Sequence, residues 1–275
     1  MIPTNNTSFL RGAWAITRPG MCALLESIRA AKSDIDYADF FSPRQALSED
    51  EDGIAHIDVK GALIDNAPAI YEKIGSTDYR SIIAEIDAAQ DSKAILMRVD
   101  SPGGTVAGLE EASQAIAASS VPVFAYCDGM ACSAAYHLAA SAAAIVASPS
   151  ADVGNIGTVM AWMDDAELME AMGYKMEVLT NEGADLKGTF RDSPMTDAQR
   201  EFLQEEINAH GEQFRNHVES NRSVDPEVFR AGWYQGDRAQ SLGLVDAISS
   251  YEYARQTIIK GMGELHLEII IDRMR

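Results

Sequence analysis

The chain has 275 residues, enough to bury a full core in one large domain or two small ones. Hydrophobic residues make up 47 % and charged residues 23 %, the balance of an ordinary globular protein and not of a disordered one. A formal charge of −20 argues against non-specific binding to nucleic acid or to an anionic membrane, since both need basic patches.

The three cysteines, Cys22, Cys127 and Cys132, are odd in number and contain no Cys-x-x-Cys pair. That argues against a disulfide framework or a structural zinc site and suits a reducing cytoplasm. No apolar run reaches the length of a membrane span, and the N-terminus lacks a basic n-region with an apolar h-region. The sequence therefore predicts a cytoplasmic protein without membrane anchor, metal or cofactor.

Residues 1–20 read as irregular, with an extended arm and turn at Trp14-Ala-Ile-Thr-Arg-Pro-Gly. Met21, Leu24, Leu25 and Ile28 form a helical stripe to about Lys32, and an acidic loop follows over 33–53. Ile54 to Val59 alternates as a strand ended by Gly61. A helix runs from about Asp78 to Ala89 on Ile82, Ile83 and Ile86, with its cap among Ser76, Thr77 and Asp78. The near-continuous apolar run from Ala94 has the length of a parallel strand covered on both faces. Next come a glycine turn at Gly103-Gly104, a helix over 108–118, a buried strand over 121–126, a tight turn, and an Ala-rich helix opening at Ser133. A short strand at 144–147 closes this β-α-β-α-β order, which argues for an α/β fold. Further on, the sequence predicts a strand at 158–162, a helix at 164–172 closed by Gly173, and a strand at 175–179. A polar loop covers 180–193, and the longest helix runs from Thr196 to about Asn221. Short helices at 225–229 and 239–244, a turn at 233–236, a strand at 245–248 and a helix from Tyr251 complete the chain.

The chemistry-bearing stretch is Val99 to Ala147. A buried strand, a glycine and an Ala-rich helix opening at Ser133 lift a hydroxyl to the mouth of a sheet, at the positive end of a helix. Gly103 and Gly104 can offer backbone N–H groups to a developing oxyanion, because no Cβ blocks a close approach. Ala131 and Ala134 provide small side chains for the wall of a shallow substrate pocket. Together these features suggest acyl transfer by a serine nucleophile. A serine needs a base. Of the five histidines, His137 lies one helical turn beyond Ser133 and reads as a packing residue, His210 and His217 read as solvated, and His56 sits in a strand. None of the five stands in a recognisable triad pattern.

The pieces Asp100-Ser-Pro-Gly-Gly, Cys132-Ser-Ala-Ala-Tyr, Gly154-Asn-Ile-Gly, Gly183 to Lys187 with Pro194-Met-Thr, and Trp233-Tyr-Gln-Gly-Asp-Arg-Ala to Gly243-Leu-Val-Asp lie within residues 50–250. Together they resemble the signal-peptide-peptidase and phage capsid-assembly family of serine peptidases. That resemblance implies an α/β Clp-protease/crotonase-like fold with a mostly parallel sheet, and a Ser–Lys dyad. Ser133 is then the nucleophile, Lys187 the general base and Gly103-Gly104 the oxyanion loop. It also implies a protein or peptide substrate, such as a phage capsid or scaffold protein, and a homo-oligomer in which neighbouring subunits can complete the site. Here Ala134-Ala135 stands where the family usually has Gly-Gly, and Cys132 adjoins the nucleophile. Two other readings of the same fold are a crotonase-type acyl-CoA enzyme, whose chemistry rests on glutamates, and an inactive shell or scaffold-binding protein. The expected organisation is an arm and helix over 1–50, the peptidase domain over 51–250 and a C-terminal helix over 251–275. The last fifteen residues, 261–275, resemble translation elongation factor G and read as a foreign segment.

Overall fold

A computed structural model describes residues 14–16, 47–67, 75–161, 166–174, 179–187 and 195–263. The helix expected at 21–32, the strand at 175–179 apart from Leu179, and most of the elongation-factor-like tail lie outside the described residues.

The centre is a parallel trio of strands, β3 (Ile54–Lys60), β6 (Ala94–Ser101) and β8 (Val123–Cys132). Their apolar runs are buried on both faces, as parallel strands under helices must be. β2 (Ser48–Glu49) pairs antiparallel to β3 at one edge. Beyond β8 the sheet forks. β9 (Ala144–Ala147) pairs with β8 at Phe124 to Cys127, and β10 (Asp152–Gly154) pairs with it at Met130 to Cys132. Each prong ends in a two-residue strand: β11 (Trp233–Tyr234) antiparallel to β10, and β12 (Ala247–Ile248) parallel to β9.

Two layers cover this sheet. On one face α1 (Tyr79–Ala88), α2 (Leu109–Ala117) and α3 (Ala134–Ala140) bury Ile82, Ile86, Ile116 and all of α3 in the main core. On the other, α7 (Tyr251–Gly263) sets Ala254 and Ile258 against Ile54, Leu96, Phe124 and Tyr126. The expected α/β architecture with a mostly parallel sheet is the one observed.

Local chemistry explains the helix starts. Asp78 caps α1 by accepting the Arg80 N–H at 2.9 Å. Thr196 and Gln199 form a reciprocal capping box at the start of α5 (Asp197–Asn221). α4 (Ala166–Ala171) is closed by Gly173 at φ +84°, as expected. A 3₁₀ turn at Pro226–Arg230 and α6 (Gly236–Ser241) complete the set.

The structure differs from the sequence reading at several places. Cys127 to Cys132 is no turn; β8 runs on through Gly129, with a register shift opposite Val99 and Ser101. The Gly103-Gly104 turn is part of a strand, β7 (Gly103–Thr105), in a second sheet of order β1-β7-β4-β5. There β1 (Trp14–Ile16) runs antiparallel to β7, and β4 (Leu63–Ile64) lies between β7 and β5 (Thr77–Asp78). Residues 158–161 form no regular strand. Trp233-Tyr234 is a strand where a turn was expected, because it finds β10 as a partner.

Candidate active site

Ser133 stands at the end of β8, where β6 and β10 flank it and α3 begins. Ligand sites of parallel sheets form at these carboxyl ends of the strands. Its backbone lies at φ +57°, ψ −123°, a conformation that L-residues rarely adopt and that costs about 1–3 kcal/mol. Two hydrogen bonds hold it there: its N–H donates to the Gly154 carbonyl at 2.7 Å, and its own carbonyl accepts from His137 N–H at 3.0 Å. The hydroxyl points to the Gly157 carbonyl at 3.4 Å, a long and therefore weak bond. Ser133 is 1 % exposed.

The loop Gly154-Asn-Ile-Gly builds the other wall. Gly154 at φ +114° and Asn155 at φ +54° turn the chain sharply after β10. Asn155 is anchored from both ends, its N–H on the Gly232 carbonyl at 2.7 Å and its side-chain amide on the Ala231 carbonyl at 2.8 Å. A cleft of about 600 Å³ opens directly beyond. Ile156, Gly157 and Thr158 line one side, and Glu205, Asn208, Gly211, Glu212 and Arg215 of α5 line the other. The acceptor of the Ser133 hydroxyl is thus also a lining residue of this cleft.

Gly103 and Gly104 come close because Ser101 is in register with Ala131, two residues before Ser133, and β7 packs on α3. The structure adds a second reason for glycine at 104. A Cβ there would lie 1.9 Å from the Leu63 carbonyl oxygen, so only glycine lets β7 lie against β4. The Gly103 N–H donates to Ser101 Oγ at 3.2 Å, and that hydroxyl in turn donates to the Gly61 carbonyl at 2.6 Å. Ala131 and Ala134 are both 0 % exposed and sit inside the main core, so their methyl groups meet protein and no open pocket.

Lys187 is exposed at the end of a turned segment, Asn181 to Lys187. That segment is tied to the first turn of α5 by Gln199, whose amide donates to the Asp185 carbonyl at 3.0 Å. Among the described residues the Lys187 ammonium makes no hydrogen bond or ion pair, with Ser133 or with any other group. Cys132, beside Ser133, is buried. Burial, then the nearby Asp152 carboxylate, push its thiol far above the ordinary range, which suppresses the thiolate.

The histidines take roles the sequence showed only in part. His217 is half-buried and not fully solvated. Its ring stacks on His137 at 3.6 Å between centroids and 9° between planes. Burial, then the His217 ring, push His137 down to about 2, and burial also lowers His217. The sequence carries no local sign of this pair, which joins positions 80 residues apart. His56 does find an aspartate: its ring lies 3.0 Å from Asp50 Oδ2 and 2.6 Å from the Tyr251 hydroxyl. The pair is remote from Ser133. His56 is level with Leu96 and Phe124 across the sheet, and Ser133 follows Phe124 by nine positions, about 30 Å of extended strand at ~3.3 Å per residue.

The family model for peptidase family S49 matches residues 115–263, and that for Clp protease matches residues 51–153. The chain is 32 % identical over 215 residues to capsid assembly protease C of Escherichia phage lambda, covering 75 % of this chain and 49 % of that protein. It is 30 % identical over 183 residues to a protease of Methanocaldococcus jannaschii, covering 64 % and 58 %. It is also 30 % identical over 194 residues to the chloroplastic serine protease SPPA of Arabidopsis thaliana, covering 65 % and 28 %. The chain thus spans between about a quarter and three fifths of the length of these relatives. With the S49 model covering more than half of its residues, Ser133 at its sheet mouth included, the chain belongs to peptidase family S49.

Proposed function

We propose that this chain is a serine endopeptidase in which Ser133 attacks the scissile carbonyl and Lys187 is the general base. The observation that carries this reading is Ser133 itself, a buried serine held in a strained turn at the carboxyl end of β8, its hydroxyl directed at the carbonyl of Gly157, a residue that lines a cleft. Fixing a nucleophile in advance removes part of the entropy cost of attack. The backbone N–H groups of Gly103 and Gly104 stabilise the oxyanion, the 3.2 Å bond from Gly103 to Ser101 being long enough to exchange. Lys187 takes the hydroxyl proton, passes it to the leaving amine, and then activates the water that hydrolyses the acyl-enzyme. The peptide lies in the cleft between Gly157 and α5.

A lysine works as a base only when it is desolvated, and an exposed Lys187 meets that condition on assembly. The exposed large apolar residues favour such assembly. Leu168, Met172, Tyr174, Leu179, Leu186 and Phe202 lie within the segments around Lys187, and a lone subunit gains nothing by exposing them. The reading is a homo-oligomer in which Lys187 of one copy completes the Ser133 site of the next. The similarity to capsid assembly protease C favours phage capsid or scaffold proteins as substrate, cut in the host cytoplasm or inside the immature head.

The test incubates wild type, Ser133→Ala and Lys187→Ala proteins with the capsid and scaffold proteins encoded near the gene, read by mass spectrometry. Each substitution is expected to lower cleavage by a factor on the order of 10⁴ or more. Mixing the two inactive variants is expected to restore about a quarter of the sites, since each needs a serine from one copy and a lysine from its neighbour. Full cleavage by Ser133→Ala refutes the nucleophile, and no recovery on mixing refutes the shared site.

A further inference from the structure

Helices α2, α3 and α5 meet at a cluster that the peptidase chemistry does not use. Glu110 lies in the first turn of α2, His137 in the middle of α3 and His217 near the end of α5. Each offers one ligand-type atom, and the three atoms lie within 4.8 Å of one another.

The surroundings orient these groups. His217 Nε2 is 3.0 Å from the His137 carbonyl oxygen, which can only accept. Nε2 therefore carries the proton, and His217 Nδ1 keeps its lone pair. The Ser141 hydroxyl lies 3.1 Å from the same Nε2. Gln114 donates its amide to Glu110 Oε1 at 2.9 Å and leaves the second oxygen to other partners. Backbone carbonyls on the far ring nitrogen and hydrogen bonds to the carboxylate are the outer partners that metal ligands keep.

An independent observation comes from His137. The residue is 4 % exposed, and its Nδ1 is the one fully buried side-chain nitrogen or oxygen without a hydrogen-bond partner among the described residues. Buried polar atoms are satisfied as a rule, so an orphan calls for a ligand.

We propose that Glu110, His137 and His217 bind a divalent cation of the zinc class, with water in the remaining position. Two imidazoles and one carboxylate suit zinc and the late first-row ions, whereas calcium and magnesium favour oxygen ligands alone. The in-plane lone pairs of the two stacked rings lie in nearly parallel planes and so do not meet at one point. Binding therefore tilts one ring, and the less buried His217 has the room. The ligand atoms must close to about 3.4 Å, the spacing around a tetrahedral ion with bonds of ~2.1 Å. An ion there ties the helix that starts at Ser133 to the helix that lines the cleft. It lies one helical turn or more from the nucleophile, so it fastens the site and takes no part in the proton transfers.

The test uses the full chain, freed of metal with a chelator and titrated with Co²⁺. Saturable d–d bands of four- or five-coordinate Co²⁺ are expected at one ion per chain, displaced by Zn²⁺, with a thermal midpoint that rises on Zn²⁺ addition. His217→Ala is expected to abolish the bands. Glu110→Gln, at an exposed position that folding tolerates, is expected to weaken binding at least tenfold. Gln114→Ala is expected to weaken it about tenfold. Absence of saturable bands, bands of equal strength in His217→Ala and Glu110→Gln, or a thiolate charge-transfer band that marks a cysteine site overturns the proposal.

Discussion

Ser133 shows how much a single residue is asked to tolerate. Its φ of +57° belongs to glycine, and the strain persists because Gly154 and His137 hold the backbone on both sides. Ser133→Gly is expected to end cleavage and yet to raise stability by about 1 kcal/mol, the relieved strain exceeding the added freedom of the unfolded chain. Urea unfolding checks this, and a midpoint below that of wild type would refute stored strain at this position. The place of Ser133 between a strand and a helix was legible in the sequence because strand, small residues and helix follow one another within about ten positions. The fate of His217 was not, since helical periodicity describes its own helix and says nothing of a ring 80 positions away. Gly104 was read for its N–H alone; the Leu63 carbonyl that forbids a side chain there lies on a strand some 40 residues earlier.

At the scale of elements, the attachment of α7 rests on charge as well as on apolar contact. Arg255 reaches Asp50 at 2.7 Å and also Asp52, Tyr251 bonds His56, and the Arg98 guanidinium sits 5.4 Å from the Tyr251 ring centre. Burial alone would raise the Asp50 carboxyl, but hydrogen bonds from His56, the Ile54 N–H and Arg255 outweigh it and hold the group well below the ordinary carboxylate range. A carboxyl depressed in the folded state contributes stability that is complete above its unfolded value of about 3.9 and is lost as pH falls below it. Asp50→Asn should therefore destabilise the protein at pH 6, and its deficit against wild type should hold down to about pH 4 and then shrink steadily as the pH is lowered further toward the depressed folded-state value. Parallel curves of urea midpoint against pH for the two proteins would sink this account. Elements with their own signals were legible: α1 through Asp78 and its isoleucine stripe, α5 through Thr196 and Gln199. β7 and β11 were hidden, because two or three residues become a strand only when a distant partner supplies the other half of the ladder.

For the whole molecule, the charge of −20 per chain sets the terms of association. Copies that meet through the apolar segments around Lys187 must also bring like charges together, and salt screens that repulsion over a Debye length of about 8–10 Å. The proposed oligomer is expected to gain population as salt rises from about 0.05 to 0.5 M, measured by sedimentation velocity. Dissociation on adding salt would mean that ion pairs, not apolar contact, hold the copies together.

The fork in the main sheet carries a consequence of its own. β9 with β12 and β10 with β11 lean on the same strand but not on each other, so neither prong needs the other to stay paired. Under native conditions the amides of Val153 and Gly154 should open to solvent exchange without those of Ile145 and Val146, as two separate cooperative units. The prong bearing β10 carries the Gly154 carbonyl that fixes Ser133. Its local opening would release the backbone of Ser133, the proposed nucleophile, while the rest of the protein stayed folded, so the lifetime of a competent site would be set by one small rim of the sheet and not by global unfolding.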